Sequence, residues 1–84
     1  MSYRVRIKRS AAKALAKIPP PARLRLVQAI DRLAVEPHAG GVLKGEFAGL
    51  RRIRLGGYRI IYEIYERELT VLVVRVAPRG SAYR

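Results

Sequence analysis

The dipeptide Gly56-Gly57 constrains this chain more than any other feature of its sequence. It stands between two segments of strand character, "LRRIRL" (50–55) and "YRIIYEIY" (58–65). A glycine pair in that setting signals a two-residue hairpin, because tight hairpin turns need positive φ and glycine reaches it without a Cβ clash. A two-residue loop also sets the register. Leu55 then faces Tyr58, Arg54 faces Arg59 and Ile53 faces Ile60. Opposed side chains share a face, so Arg54 and Arg59 point the same way, with Arg52 one pair further along. Like charges placed directly opposite destabilise a hairpin by up to ~1 kcal/mol. Two arrangements account for them. A site for a dianionic phosphate would seek the cluster, since planar guanidinium groups bind phosphate oxygens bidentately. A solvated basic face, its arginine stems covering apolar neighbours, would tolerate it.

The remaining elements follow from periodicity. "SYRVRIK" alternates, with Tyr3, Val5 and Ile7 on one side and Arg4, Arg6 and Lys8 on the other, the pattern of a half-buried strand. Ser10 is positioned to cap a helix over "AAKALAKI", whose apolar stripe is Ala11, Ala14, Leu15 and Ile18. Prolines 19–21 end it, and Pro21 suits the first turn of a second helix. There Leu26, Val27, Ile30, Leu33 and Ala34 repeat at helical spacing, and Pro37 is expected to stop the helix. "VLKGEFAG" fits no element clearly. After the hairpin, a charged turn near Glu66-Arg67 leads into "LTVLVVRVA", apolar enough for a central strand. The expected fold is α+β: a two-layer β-α-α-β-β-β chain, an antiparallel-rich sheet with both N-terminal helices on one face.

Eighteen Lys and Arg against six Asp and Glu give a net charge of +12. The basic residues divide evenly between residues 1–42 and 43–84, so the excess is no mere basic tail. A folded surface of this kind expects polyanionic company, though a generically basic protein carries the same signature. Other chemistry is scarce. There is no cysteine, so disulfides and thiolate chemistry are excluded. His38 is the only histidine, set in a Pro/Gly-rich turn, and the acidic residues do not join it at ligand spacing, so neither metal nor cofactor is expected. No apolar run approaches the ~18 residues of a membrane span, and "MSYRVRIKRS" lacks the apolar stretch of a signal peptide. Arginine and tyrosine remain, and they suit metal-free RNA cleavage. The substrate's 2′-hydroxyl is the nucleophile there, arginines hold and neutralise the phosphate, and a tyrosine helps move a proton.

The element order, "LKG" at 43–45, "LRRIRLGGYRIIYEI" at 50–64 and "LTVLVVRVAPRGSAYR" at 69–84 together resemble the RelE/ParE toxins of toxin–antitoxin pairs. The resemblance spans 1–84 as a single toxin domain. It implies one of two activities. RelE-like members cleave messenger RNA in the ribosomal decoding site, and ParE-like members inhibit DNA gyrase without being known as nucleases. The RelE-like set has basic residues before the hairpin turn, an arginine after it, another after the last strand and a tyrosine near the C-terminus. Arg52 and Arg54, then Arg59, Arg79 and Tyr83 match these positions and favour a ribosome-dependent endoribonuclease. Arg51, Lys44 and Arg75 are expected to add RNA-binding charge. This chain departs from the pattern where many members carry lysine, at Arg52 and Arg54, and at Pro78, where many carry histidine or lysine. Both changes shift proton transfer towards Tyr83 or towards groups of the ribosome. The resemblance further implies a cytoplasmic toxin held by an acidic, RelB-like antitoxin in a hetero-oligomer, which often binds operator DNA through the antitoxin.

Overall fold

A computed structural model describes residues 2–78; Arg79 and Tyr83 therefore lie outside the described residues. The chain forms β1 (Arg4–Ile7), α1 (Arg9–Ala16), α2 (Pro20–Arg32), β2 (Gly41–Val42), β3 (Leu50–Leu55), β4 (Tyr58–Tyr65) and β5 (Thr70–Pro78). The sheet order is β1-β5-β4-β3-β2. All neighbours are antiparallel except β1 and β5, which run parallel. The architecture is the expected α+β arrangement with one addition. β2, two residues long, pairs with β3 and extends the sheet, and a strand so short shows no alternation to read.

The hairpin register is the one set by the glycine pair: Leu55 faces Tyr58, Arg54 faces Arg59 and Ile53 faces Ile60. Gly56 takes φ +60°, the positive value that the first turn position of this hairpin class demands. β5 departs from simple alternation. Ile61 pairs with Arg75, but Tyr62 pairs with Val73, so Val74 is an extra residue in the ladder. Strict alternation from Val71 and Val73 would drive Arg75 into the core. The bulge instead turns Val76 inward and Arg75 outward.

Both helices cover the inward face. Ala11, Leu15 and Ile18 meet Leu26, Ile30 and Leu33 over Ile60, Tyr62, Val71, Val73 and Val76 in one core cluster. α1 starts earlier than its sequence signal. The Lys8 amide bonds the Val73 carbonyl at 2.9 Å, so the chain leaves the sheet there and the helix begins at Arg9. Ser10 thus falls inside the first turn instead of capping it. Pro20 and Pro21 occupy the opening positions of α2, where the missing amides are no loss. α2 ends at Arg32, before Pro37, which instead opens a 3₁₀ turn at Pro37–Ala39.

That turn is fastened to the sheet by polar contacts. The fully buried Tyr62 donates its hydroxyl to the Pro37 carbonyl at 2.7 Å and accepts the Gly40 amide at 2.9 Å. Burial raises the phenol above the ordinary tyrosine range, opposed by the Gly40 amide and the Arg51 charge. A Cβ on Gly40 would lie 2.6 Å from the Tyr62 oxygen and 2.8 Å from the Arg52 carbonyl. Glu66 accepts the Tyr3 hydroxyl at 2.7 Å and contacts His38 Nε2 at 2.8 Å, so His38 is more than a loop residue. These bonds, the Tyr3 one foremost, hold the Glu66 carboxyl below its usual range.

Tyr62→Phe should lower the unfolding free energy by about 1–3 kcal/mol, because it strands a buried amide and a buried carbonyl. Gly40→Ala should lower it as well, since backbone must move to admit the methyl. Denaturant midpoints check both. Glu66 makes the stability pH-dependent. Its folded pKa is depressed, so its contribution is present above the ordinary carboxylate pKa and lost as pH falls through the folded value. The stability difference between wild type and Glu66→Gln should therefore shrink in acid, measured by denaturation across that range.

Candidate functional site

Opposite the helices, the sheet presents its second face. Register arranges it in rows that cross the strands. Ala77, Arg59 and Arg54 form the row beside the Gly56-Gly57 turn. Arg75, Ile61 and Arg52 form the next. Leu72, Glu63 and Leu50 follow, with Arg6 added from β1. Thr70 and Tyr65 close the series, with Arg4 beside them.

The first two rows bring four arginines together. Arg54 and Arg59 are directly opposed, and Arg52 and Arg75 flank Ile61 two strands apart, about 10 Å at the usual strand spacing. Ile61 is only 3 % exposed although it lies outside the helix-side core cluster. Arg52 and Arg59 are half-buried, the Nε of Arg59 fully so, while Arg54 and Arg75 are exposed. Partial burial lowers the local dielectric and strengthens attraction for an anion. Guanidinium groups carry a delocalised positive charge and only donate hydrogen bonds, so the patch is suited to binding and neutralising an anion such as phosphate and not to moving protons.

Not every basic residue expected at this site joins it. Arg51 points the other way, as the neighbour of Arg52 in a strand must. Its Nη1 donates to the Gly40 carbonyl at 2.8 Å and to the His38 carbonyl at 3.4 Å, which ties the 37–40 loop to β3. Lys44 is exposed in the segment between β2 and β3, outside the paired register that defines the face. Arg75, by contrast, stands in the same row as Arg52. Arg4 and Arg6 were legible as one side of an alternating strand, but their place on this face depends on the parallel pairing of β1 with β5.

A cleft of about 980 Å³ opens at the β1 end of the face, lined by Tyr3, Arg4, Arg6, Tyr65, Thr70 and Leu72 among others. On the helix side, a groove of about 390 Å³ runs between α2 and β3 over Leu33, Ile53 and Leu55, with Arg25 and Arg32 beside it. Among the described residues no cluster of three or more His, Asp or Glu is arranged to hold a metal. No helix there is long and apolar enough to cross a membrane.

Comparison with known proteins gives consistent relatives. The family described as "ParE toxin of type II toxin-antitoxin system, parDE" matches residues 5–83. The chain is 37 % identical to Toxin RelG of Mycobacterium tuberculosis over 86 aligned positions, which cover 100 % of this chain and 99 % of that protein. In three dimensions it resembles the toxin–antitoxin complex RelBE2 of the same organism, with TM-score 0.86, 34 % identity, and 96 % and 95 % of the two chains covered. It also resembles the archaeal RelE-RelB complex of Pyrococcus horikoshii, with TM-score 0.79, 35 % identity, and 98 % and 100 % covered.

The two sides of β3 should separate in solution. For single-stranded RNA, each phosphate contact contributes roughly −0.7 to the slope of log K against log salt. Arg54→Ala and Arg75→Ala should each flatten that slope by about 0.7. Arg51→Ala should leave it unchanged and instead lower the denaturation midpoint, because it releases two loop carbonyls. Filter binding across a salt series, paired with denaturation, checks all three.

Proposed function

The chain belongs to the ParE toxin family of type II toxin–antitoxin systems, and on that premise we propose that it is a ribosome-dependent endoribonuclease that cuts messenger RNA without a metal. It is a RelE-like toxin. The observation that carries the proposal is the register that sets Arg54 against Arg59, with Arg52 and Arg75 in the adjoining row. Those arginines hold the scissile phosphate. The 2′-oxygen attacks the adjacent phosphorus in line, the bond to the 5′-oxygen breaks, and a 2′,3′-cyclic phosphate and a 5′-hydroxyl remain. Charge builds on the phosphoryl oxygens as the reaction proceeds, and a preorganised guanidinium cluster stabilises it most at that point. The 2′-hydroxyl proton needs an acceptor that arginine cannot supply. Tyr83 is proposed to take that proton, the departing 5′-oxygen gains its proton from solvent or a ribosomal group, and Arg79 is proposed for a further phosphate contact.

The partner proposed is an acidic, RelB-like antitoxin. Two features support this: the relatives above are toxin–antitoxin complexes, and the groove between α2 and β3 combines an apolar floor with neighbouring arginines, which suits an acidic amphipathic segment. Operator DNA would be reached through the antitoxin. A second reading, inhibition of DNA gyrase, is favoured by the family's description as ParE toxins.

Single-turnover cleavage of a message on programmed ribosomes decides between them, run beside gyrase supercoiling with the same preparation. Wild type should cut the message. Tyr83→Phe should bind ribosomes equally but cut about 10²–10⁴ times more slowly, the usual contribution of a positioned acid–base group. Arg59→Ala should lose binding and rate together. A wild-type protein that blocks gyrase and leaves every transcript intact would establish the second reading.

A further inference from the structure

We propose that the cleft at the β1 end of the open face is a second nucleotide subsite, in which Arg4 and Arg6 take backbone phosphate and Tyr65 stacks on a base of the same single-stranded RNA. The inference rests on RNA being the ligand of the arginine cluster. It concerns residues that lie beyond that cluster and take no part in the cleavage chemistry.

Three observations carry it. The first is continuity. The Arg6 row and the Arg75 row are neighbours, two residues apart on β4, Glu63 to Ile61, or about 7 Å at the usual strand rise. An extended RNA strand crosses that distance within a nucleotide or two. The second is charge. Arg4 and Arg6 are exposed, and among the described residues neither guanidinium has a hydrogen-bond or ion-pair partner. The third is aromatic placement. Tyr65 lines the cleft at 39 % exposure, and its hydroxyl is bonded to Glu63 in the neighbouring row. Tyr3, also on the lining, is bonded to Glu66. Each carboxylate accepts a hydrogen bond from its phenol, which pushes that phenol up from the ordinary tyrosine range and holds the ring by its hydroxyl. A basic groove with an orientated aromatic ring is the arrangement that binds single strands without sequence preference. Glu68 also lines the cleft. A carboxylate only accepts, so Glu68 suits a base amino group and repels a second phosphate.

The test uses the purified toxin and fully 2′-O-methylated RNA, which cannot be cut. A short oligonucleotide of about two nucleotides, too short to reach beyond the arginine cluster, and a longer one of about ten are titrated across a salt series. With the long RNA, the combined Arg4→Ala and Arg6→Ala variant should flatten the log–log slope by about 1.4, two phosphate contacts' worth. With the short RNA, held by the arginine cluster, it should match wild type. Tyr65→Ala should weaken long-RNA binding about five- to a hundredfold, the range for one stacked base, while Tyr65→Phe, which keeps the stacking face and loses only the Glu63 bond that orients it, should lose much less. Equal slopes for the double variant and wild type, or equal losses on both RNA lengths, overturn the subsite. So does a double variant that weakens only an acidic peptide. If wild type shows the length-dependent binding yet cuts no message on ribosomes, the subsite stands and the cleavage proposal falls.

Discussion

One extra residue in β5 decides which side of the sheet the rest of that strand meets. Val74 breaks the alternation, and everything beyond it changes sides: Val76 enters the core and Arg75 joins the arginines of the hairpin. Without the bulge the strand would bury a guanidinium among valines, a penalty of several kcal/mol for an unpaired charge. With it, the inward face is apolar along β4 and β5, and the outward face concentrates cations. The helices are needed for the same reason. A sheet with six arginines on one side draws its stability from the other, and α1 and α2 supply the apolar layer that covers it.

How far the sequence discloses this depends on the range of each interaction. The hairpin is local, and Gly56-Gly57 sets its register without reference to the rest of the chain. The helix stripes are local too, and Leu15, Leu26, Ile30 and Leu33 are buried as their spacing requires. The parallel joining of β1 to β5 brings Arg4 and Arg6 onto the basic face, yet no feature near either strand announces it. The bulge is a compromise between two strands and leaves no mark in "LVVRV" beyond an arginine that fits the alternation badly. Ser10 was a sound capping residue, but it lost to a longer-range bond, Lys8 to Val73, that sets where the helix starts. Arg51 is the instructive miss. Adjacent residues of a strand point to opposite faces, so placing Arg52 on the outer face had already placed Arg51 on the inner one. The count of charges in "LRRIRL" hid a parity that the alternation contained.

The inner arginine shows that one residue type serves two ends here. Arg51 is spent on carbonyls of the 37–40 loop, and Tyr62 secures the same loop from beneath. Together they brace the strand that carries Arg52 and Arg54. The geometry of a phosphate site must hold within about half an ångström for its charge to favour a transition state over a ground state. A loop tied down by a buried phenol and a two-pronged guanidinium, on the reverse of the strand that bears Arg52 and Arg54, is a physical means of holding such a site if those arginines take phosphate as proposed.

The same concentration of charge links partner binding to folding. Arg54 faces Arg59 across the hairpin, and the net charge of +12 opposes compaction as a whole. Any polyanion that binds the folded face and not the unfolded chain relieves that repulsion and adds RT ln(1 + [L]/Kd) to stability. An acidic protein partner and an RNA strand are alike in this respect and compete for the same stabilisation. On the proposed nuclease reading, an antitoxin would need no contact with the reacting atoms to silence the site, because neutralising the arginine rows would remove the field on which phosphate binding and cleavage would both depend.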